Sequence, residues 1–139
     1  MIQFLLFAIL GFIGMEIFSY FAHRFLFHGI FWKIHVAHHQ PRKSFFELND
    51  IFSLIFALIT ITLIIFGNEF AAPIGFGIAV YGVLYFIVHD LFTHRRFLPF
   101  KSKNEIILNV RAAHQKHHQS VKKAGLEPFG LFLFNYKKN

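Results

Sequence analysis

All ten histidines of this 139-residue chain fall into four tight clusters. In order they are His23 and His28; His35, His38 and His39; His89 and His94; and His114, His117 and His118. The spacing is H-x4-H followed by H-x-x-H-H, and that pair occurs twice. Histidines that merely collect at a membrane interface would be scattered and would not repeat a spacing. The fold therefore has to bring four separate segments to common use. Imidazole is the commonest protein ligand for transition metals, and ten of them exceed what one ion can bind. All ten are candidate metal ligands and, with the metal, candidate catalytic residues.

The rest of the chain is oily. Hydrophobic residues make up 55% and charged residues 15%, too apolar for an ordinary soluble domain of this size. Ile2 to Ala22 carries a single charge, Glu16, while Ile51 to Phe66 and Ala71 to Val88 carry none. A helix needs about 20 apolar residues to cross a bilayer core, with a lower limit near 17. The first and third stretches qualify; the second is short, with Gly67 and Phe70 available to extend it. The first stretch lacks a basic leader and a small-x-small cleavage site and runs straight into His23, so a retained helix is expected rather than a signal peptide. The length suits one domain, residues 1–139.

A net charge of +7 invites a nucleic-acid partner, but the placement of the charges argues against one. Every Lys and Arg lies between Arg24 and Lys43 or between Arg95 and Lys138. That is the positive-inside pattern, with the N-terminus and the 67–72 turn outside and both basic blocks in the cytoplasm. All four histidine clusters then share the cytoplasmic face. The absence of cysteine excludes disulfides and thiolate metal sites within the chain.

The expected fold is all-α: three transmembrane helices, or four if residues 25–34 or the tail insert, under a cytoplasmic helical cap holding a dimetal site. The first helix runs from Ile2 past His23 to a break at Gly29, with Trp32 and Lys33 interfacial. Residues 33–40 form a short helix stopped by Pro41. Pro73 suits the first turn of the third membrane helix, and Asn104 caps a further helix through His118. The apolar tail after Gly125 is too short to span and lies against the interface or covers the site.

Helix geometry puts i, i+3 and i+4 within an arc of about 100°, so each H-x-x-H-H triplet projects from one face. Residues i and i+5 lie about 140° apart, so His23 with His28, and His89 with His94, converge only where the helix unwinds or bends. Two ions with open positions use around eight or nine protein ligands, which leaves one histidine free to orient a ligand or a bound water. Iron, zinc and copper all suit such a nitrogen-rich, carboxylate-poor set. No Glu-x-x-His motif of the soluble di-iron bundles is present.

The order of the histidine motifs resembles the membrane fatty-acid hydroxylase superfamily of histidine-box di-iron enzymes. The words HRFLFHG, HVAHHQPRKSFFELNDIF, YGVLYFIVHDLFTHRRFLPF and AHQKHH are similar to its carotenoid branch, the bacterial beta-carotene hydroxylases, from Glu16 to Phe132. The tail GLEPFGLFLF matches that branch only loosely, and the hairpin turn is short. The resemblance implies two iron ions per chain on the ten histidines and insertion of one oxygen atom from O2 at carbon 3 of each beta-ionone ring. Beta-carotene would become beta-cryptoxanthin and then zeaxanthin. A ferredoxin or similar cytoplasmic donor would supply electrons, and the chain would sit among the lipids of a bacterial inner membrane.

Arg42, Lys43, Arg95 and Arg96 are candidates for docking an acidic ferredoxin, or equally for contacting lipid headgroups. Glu47, Asn49, Asp50 and Asp90 either orient ligand histidines or cap helices. The 22 phenylalanines line a substrate channel or face lipid. Two other readings use the same features. An acyl-chain or sterol hydroxylase or desaturase would share the metal centre. A non-enzymatic membrane metal carrier would need ligands along the membrane path, whereas these stay at one face.

Overall fold

The computed structural model describes residues 1–41 and 44–132, all of whose regular elements are helical. The first apolar stretch forms α1 (Ile2–Phe21), which runs on through Ala22–Ile30 in wide, π-type turns until Gly29 leaves helical geometry. A single turn, α2 (Trp32–His35), tightens into a 3-10 turn over Val36–His39. Gln40 is extended, as a residue preceding proline prefers. The expected helix over 33–40 is thus split between two geometries.

The second and third stretches form α3 (Asp50–Phe66) and α4 (Ala71–Tyr85), an antiparallel hairpin. The Asn68 side chain starts α4 by accepting from the N–H groups of Phe70 and Ala71, at 3.1 and 2.9 Å. The second stretch is not extended as anticipated, because Gly67 turns to an extended ψ of 151° and ends α3 at 17 residues. That is about 26 Å of helix, short of a typical hydrocarbon core of about 30 Å. Beyond Tyr85, α4 continues as a second π-type segment, Phe86–Thr93. The last helix, α5 (Glu105–His118), is capped as expected by Asn104, which accepts from Ile106 and Ile107.

Helices α1 and α4 run parallel and in backbone contact. A Cβ on Gly11 would meet the Ile74 carbonyl, and one on Gly77 would meet that of Ala8. Such small residues let membrane helices pack closely where no hydrophobic drive separates lipid from protein. Phe4 on Phe76 and Phe12 on Tyr81 extend the contact on either side of the crossing. The one charge of α1, Glu16, is buried but satisfied: it accepts from the Tyr81 hydroxyl at 2.7 Å and the Phe132 N–H at 2.8 Å.

Two helices, Ile2–Ile30 and Ala71–Thr93, are long and apolar enough to cross a membrane. Only 11% and 28% of their most apolar windows are buried within the protein, so neither is the core helix of a soluble fold. Their bare apolar flanks require lipid, and the architecture is that of a membrane protein. Tyr81, Val88, Val110 and Leu131 form a small core joining α4, α5 and the segment after α5. Every histidine lies at this end of the bundle, away from the 67–70 turn.

Candidate metal centre

The two π-type segments resolve the H-x4-H problem. A π-type turn bonds i to i+5, which brings those residues onto one face. His94 N–H accordingly donates to the His89 carbonyl at 2.9 Å, and Phe31 N–H to that of Leu26 at 2.8 Å. The rings of His89 and His94 come to 4.5 Å between centroids, and those of His23 and His28 to 5.1 Å. Bending alone is not needed; the helices widen where the spacing demands it.

Nine of the ten histidines gather into two groups. His23, His28, His35, His39 and His117 form one, and His38, His94, His114 and His118 the other; within each, the facing nitrogens all lie within 4.8 Å of one another. Each H-x-x-H-H triplet, expected to project from one face, is divided between the two groups. His38 separates from His35 and His39, and His117 from His114 and His118, so each triplet straddles both groups. The His39 and His118 rings stack at 4.4 Å across the boundary. His89 stands beside the four-histidine group, 4.6 Å from the His114 ring, with its Nδ1–H 3.3 Å from Asp90 Oδ1 and its face stacked on Tyr85.

Hydrogen bonds on the outer nitrogens determine what the inner ones can do. In the five-histidine group, Nδ1 of His23, His28, His39 and His117 faces the backbone carbonyls of Phe129, Lys123, Ser120 and Leu126. The fifth, His35, donates from Nδ1 to Asn49 Oδ1 at 2.7 Å. A carbonyl only accepts, so the proton sits on Nδ1 and the Nε2 lone pair points inward. Yet Nε2 of His23 and His39 lie 3.0 and 3.2 Å from Nε2 of His35, and Nε2 of His28 lies 3.2 Å from that of His117. Lone pairs facing lone pairs at such distances are the arrangement a cation stabilises. In the other group His38 donates from Nδ1 to Glu47 Oε2 at 2.9 Å, and the Nε2 atoms of His38 and His118 are buried with no hydrogen-bond partner. The residues fit two bound metal ions.

Burial also acts on the six histidines of the 35–39 and 114–118 segments. It pushes His35 and His117 down to about 3 and His39 to about 4, and holds His38, His114 and His118 well below the ordinary imidazole value. All six stay neutral near pH 7, the form that binds metal.

The flanking polar residues settle less evenly. Glu47, Asn49 and Asp90 touch His38, His35 and His89, so orienting histidines prevails over helix capping for these three. Asp50 is one step removed: it forks with the Arg96 guanidinium at 2.6 and 2.7 Å, and Arg96 also reaches Asp90 at 3.3 Å. This overturns the expectation that Arg96 docks a partner, since it is 2% exposed and bridges two carboxylates. Left-handed backbone at Arg95 and Phe97, φ 53° and 51°, turns Arg96 inward. Arg95 is exposed, whereas the expectation for Arg42 and Lys43 lies outside the described residues. The tail expectation holds through Phe132: Phe129 packs on the rings of His23, His28 and His117 and covers the site. Residues 133–134 of that tail lie outside the described residues.

Sequence reasoning missed Tyr85, which stacks on His89 at 4.3 Å, and the four carbonyls beyond α5. The aromatic four residues before His89 was a readable signal for the first; backbone acceptors leave none.

An apolar cavity of about 490 Å³ opens from the histidines into the bundle. His23, His35, His38 and His89 line its inner end, and Ile61, Ile64 and Ile78 its far end, with α1, α3 and α4 as walls. From Asn49 to Ile64 it follows α3 for roughly 20 Å by helix rise.

Known proteins resemble this chain over most of its length. The chain is 40% identical over 127 residues to a beta-carotene hydroxylase of Pantoea ananas, covering 88% of this chain and 71% of that protein. It is 42% identical over 131 residues to a beta-carotene hydroxylase of Pseudescherichia vulneris, covering 91% and 74%. A chloroplastic beta-carotene hydroxylase 1 of Capsicum annuum is 44% identical over 129 residues, 87% of this chain but 40% of that longer protein. No solved structure matches. The family model described as fatty acid hydroxylase matches residues 8–136, histidine clusters included, and the chain belongs to the fatty acid hydroxylase family.

Proposed function

We propose that this chain hydroxylates carbon 3 of the beta-ionone rings of beta-carotene, giving beta-cryptoxanthin and then zeaxanthin, as an O2-dependent monooxygenase of carotenoid biosynthesis. The observation that carries the reading is the cavity: an apolar slot about 20 Å deep along α3, closed at one end by four histidines. A rod-like polyene dissolved in the bilayer presents a ring end-on to such a site. The names of the relatives select a carotenoid over the acyl chain that would suit the same slot.

All ten histidines serve two iron ions per chain, nine as ligands in the five- and four-histidine groups and His89 beside them. Bound iron supplies the activation of O2 and the oxidation of an unactivated C–H bond. The chain's own residues do the positioning. Nδ1–H bonds to carbonyls, Asn49 and Glu47 fix six of the rings with Nε2 inward, and the apolar walls exclude water while steering the ring carbon toward the histidines. The overall balance is one O2, two electrons and two protons for each C–OH and one water. The electrons come from a ferredoxin or similar acidic donor, docked on Arg95 together with Arg42 and Lys43.

Residues 1–139 form a single domain in the bacterial cytoplasmic membrane. Helices α1, α3 and α4 span it three times, lipid thinning around the shorter α3. The N-terminus and position 69 face outward, and α2, the 3-10 turn and α5 form the cytoplasmic cap. The distribution of Lys and Arg supports that orientation.

The test is expression in cells that accumulate beta-carotene, with a suitable reductant. Cryptoxanthin and zeaxanthin are expected, with label from oxygen gas and not from water in the hydroxyl. Unchanged carotene beside newly hydroxylated or desaturated lipid would replace the carotenoid reading with the acyl-chain one.

A further inference from the structure

The chain beyond α5 passes the five-histidine group at a regular interval. The carbonyls of Ser120, Lys123, Leu126 and Phe129, each three residues apart, accept from Nδ1–H of His39, His28, His117 and His23. Three of these contacts measure 3.0, 3.1 and 2.8 Å, for His39, His28 and His23. Each bond forces the ring proton onto Nδ1 and leaves Nε2 facing the other ligands. His38 of the four-histidine group is held instead by the Glu47 side chain, from the segment before α3. One group therefore takes its orientation mainly from a single stretch of backbone.

Two features keep that stretch in register. Gly125 has φ +66°, and a Cβ there would lie 2.9 Å from Cε1 and Nδ1 of His28 and from the Phe129 ring. Any larger residue strains the backbone and pushes the His28 imidazole off its line. On the outer side, the Glu127 carboxylate accepts from the Arg24 guanidinium at 2.5 Å and the Tyr20 hydroxyl at 2.9 Å, tying the stretch back to the helix that carries His23 and His28.

We propose that residues 120–129 are a backbone clamp that sets the ligand geometry of one metal site and not the other, with Gly125 as its positioning residue. This rests on the reading that both histidine groups hold metal. Loss of the clamp lets four imidazoles rotate or change tautomer while the other group keeps its own supports.

The full-length protein, purified in detergent and loaded with ferrous iron, tests the clamp by metal count and helical content. Wild type is expected to carry two ions per chain, G125A about one, H118A about one, and G125A combined with H118A none. Helical content should match wild type throughout. Should G125A lose its helices, E127A decides: an iron chelator should strip one of its two ions about tenfold faster than from wild type, with the second ion unaffected. Two ions in folded G125A, released at wild-type rates, would overturn the clamp. So would the loss of both ions together from folded G125A, or wild-type release from E127A where G125A does not fold. Wild type without any metal would instead overturn the underlying two-metal reading.

Discussion

The five-histidine and four-histidine groups draw on the same repeated motifs, yet different surroundings hold them. Four of the five rings in the first lean on backbone carbonyls, and the fifth on the Asn49 amide. In the second, His38 leans on the Glu47 carboxylate, and the neighbouring His89 on Asp90 within the Asp50–Arg96–Asp90 network. A carboxylate partner raises the basicity of its imidazole, whereas a carbonyl fixes orientation without adding charge. The same repeated spacings thus feed two differently supported histidine groups, and the difference lies in residues outside the motifs.

The largest effects should come from the ligands themselves, and should be alike on the two sides. Replacing His39 or His117 in one group, or His38 or His118 in the other, with Ala is expected to abolish turnover, by more than about a hundredfold for loss of a metal ligand. Membrane insertion should persist, since the apolar stretches drive it. Substantial activity in all four variants would break the ligand assignment.

Next in size is a change confined to the carboxylate-supported side. Arg96→Ala strips Asp50 and Asp90 of their buried partner and is expected to cost about 3–5 kcal/mol of stability, the range for breaking a buried ion pair. Chemical unfolding of the detergent-solubilised protein would measure it. A cost below about 1 kcal/mol would mean that Arg96 behaves as an exposed docking residue after all.

Smaller again, Glu47→Gln keeps the shape around His38 and removes only the charge. Metal affinity should fall about tenfold on that side. Chelator competition should show one of two ions weakened and the other unchanged; equal weakening of both would erase the distinction between the groups.

A further effect is one the two sides share. Burial lowers His35, His39 and His117 in the folded state, so below about pH 6.5 the unfolded chain binds more protons. The metal-free protein should therefore lose stability steadily as pH falls from 7 toward 4. Unfolding midpoints of chelated protein that rise on acidification would contradict this sign.

Much of this was legible in the residues. The H-x4-H spacing called for unwound helix at two membrane ends, and the π-type turns at Ala22–Ile30 and Phe86–Thr93 supply it. Asn104 announced its helix through an amide oxygen that accepts from the first free N–H groups of the turn. What escaped depends on tertiary placement. Helical period puts three histidines on one face but does not say that the face lies between two groups, so the splitting of each triplet was hidden. Arg96 reads as one more basic residue of a cytoplasmic block until Asp50, 46 positions earlier, folds against it. The carbonyl clamp has no side-chain signature at all; only Gly125 marks it, through a φ that sequence does not display.

The most direct test is the iron content of purified, catalytically active protein, measured by elemental analysis beside turnover. Two distinct histidine sites predict two irons per chain, with activity lost on chelation and restored by ferrous iron. Active protein that contains no iron, or turnover that survives complete iron removal, would contradict the assignment of these ten histidines to a dimetal oxygenase centre.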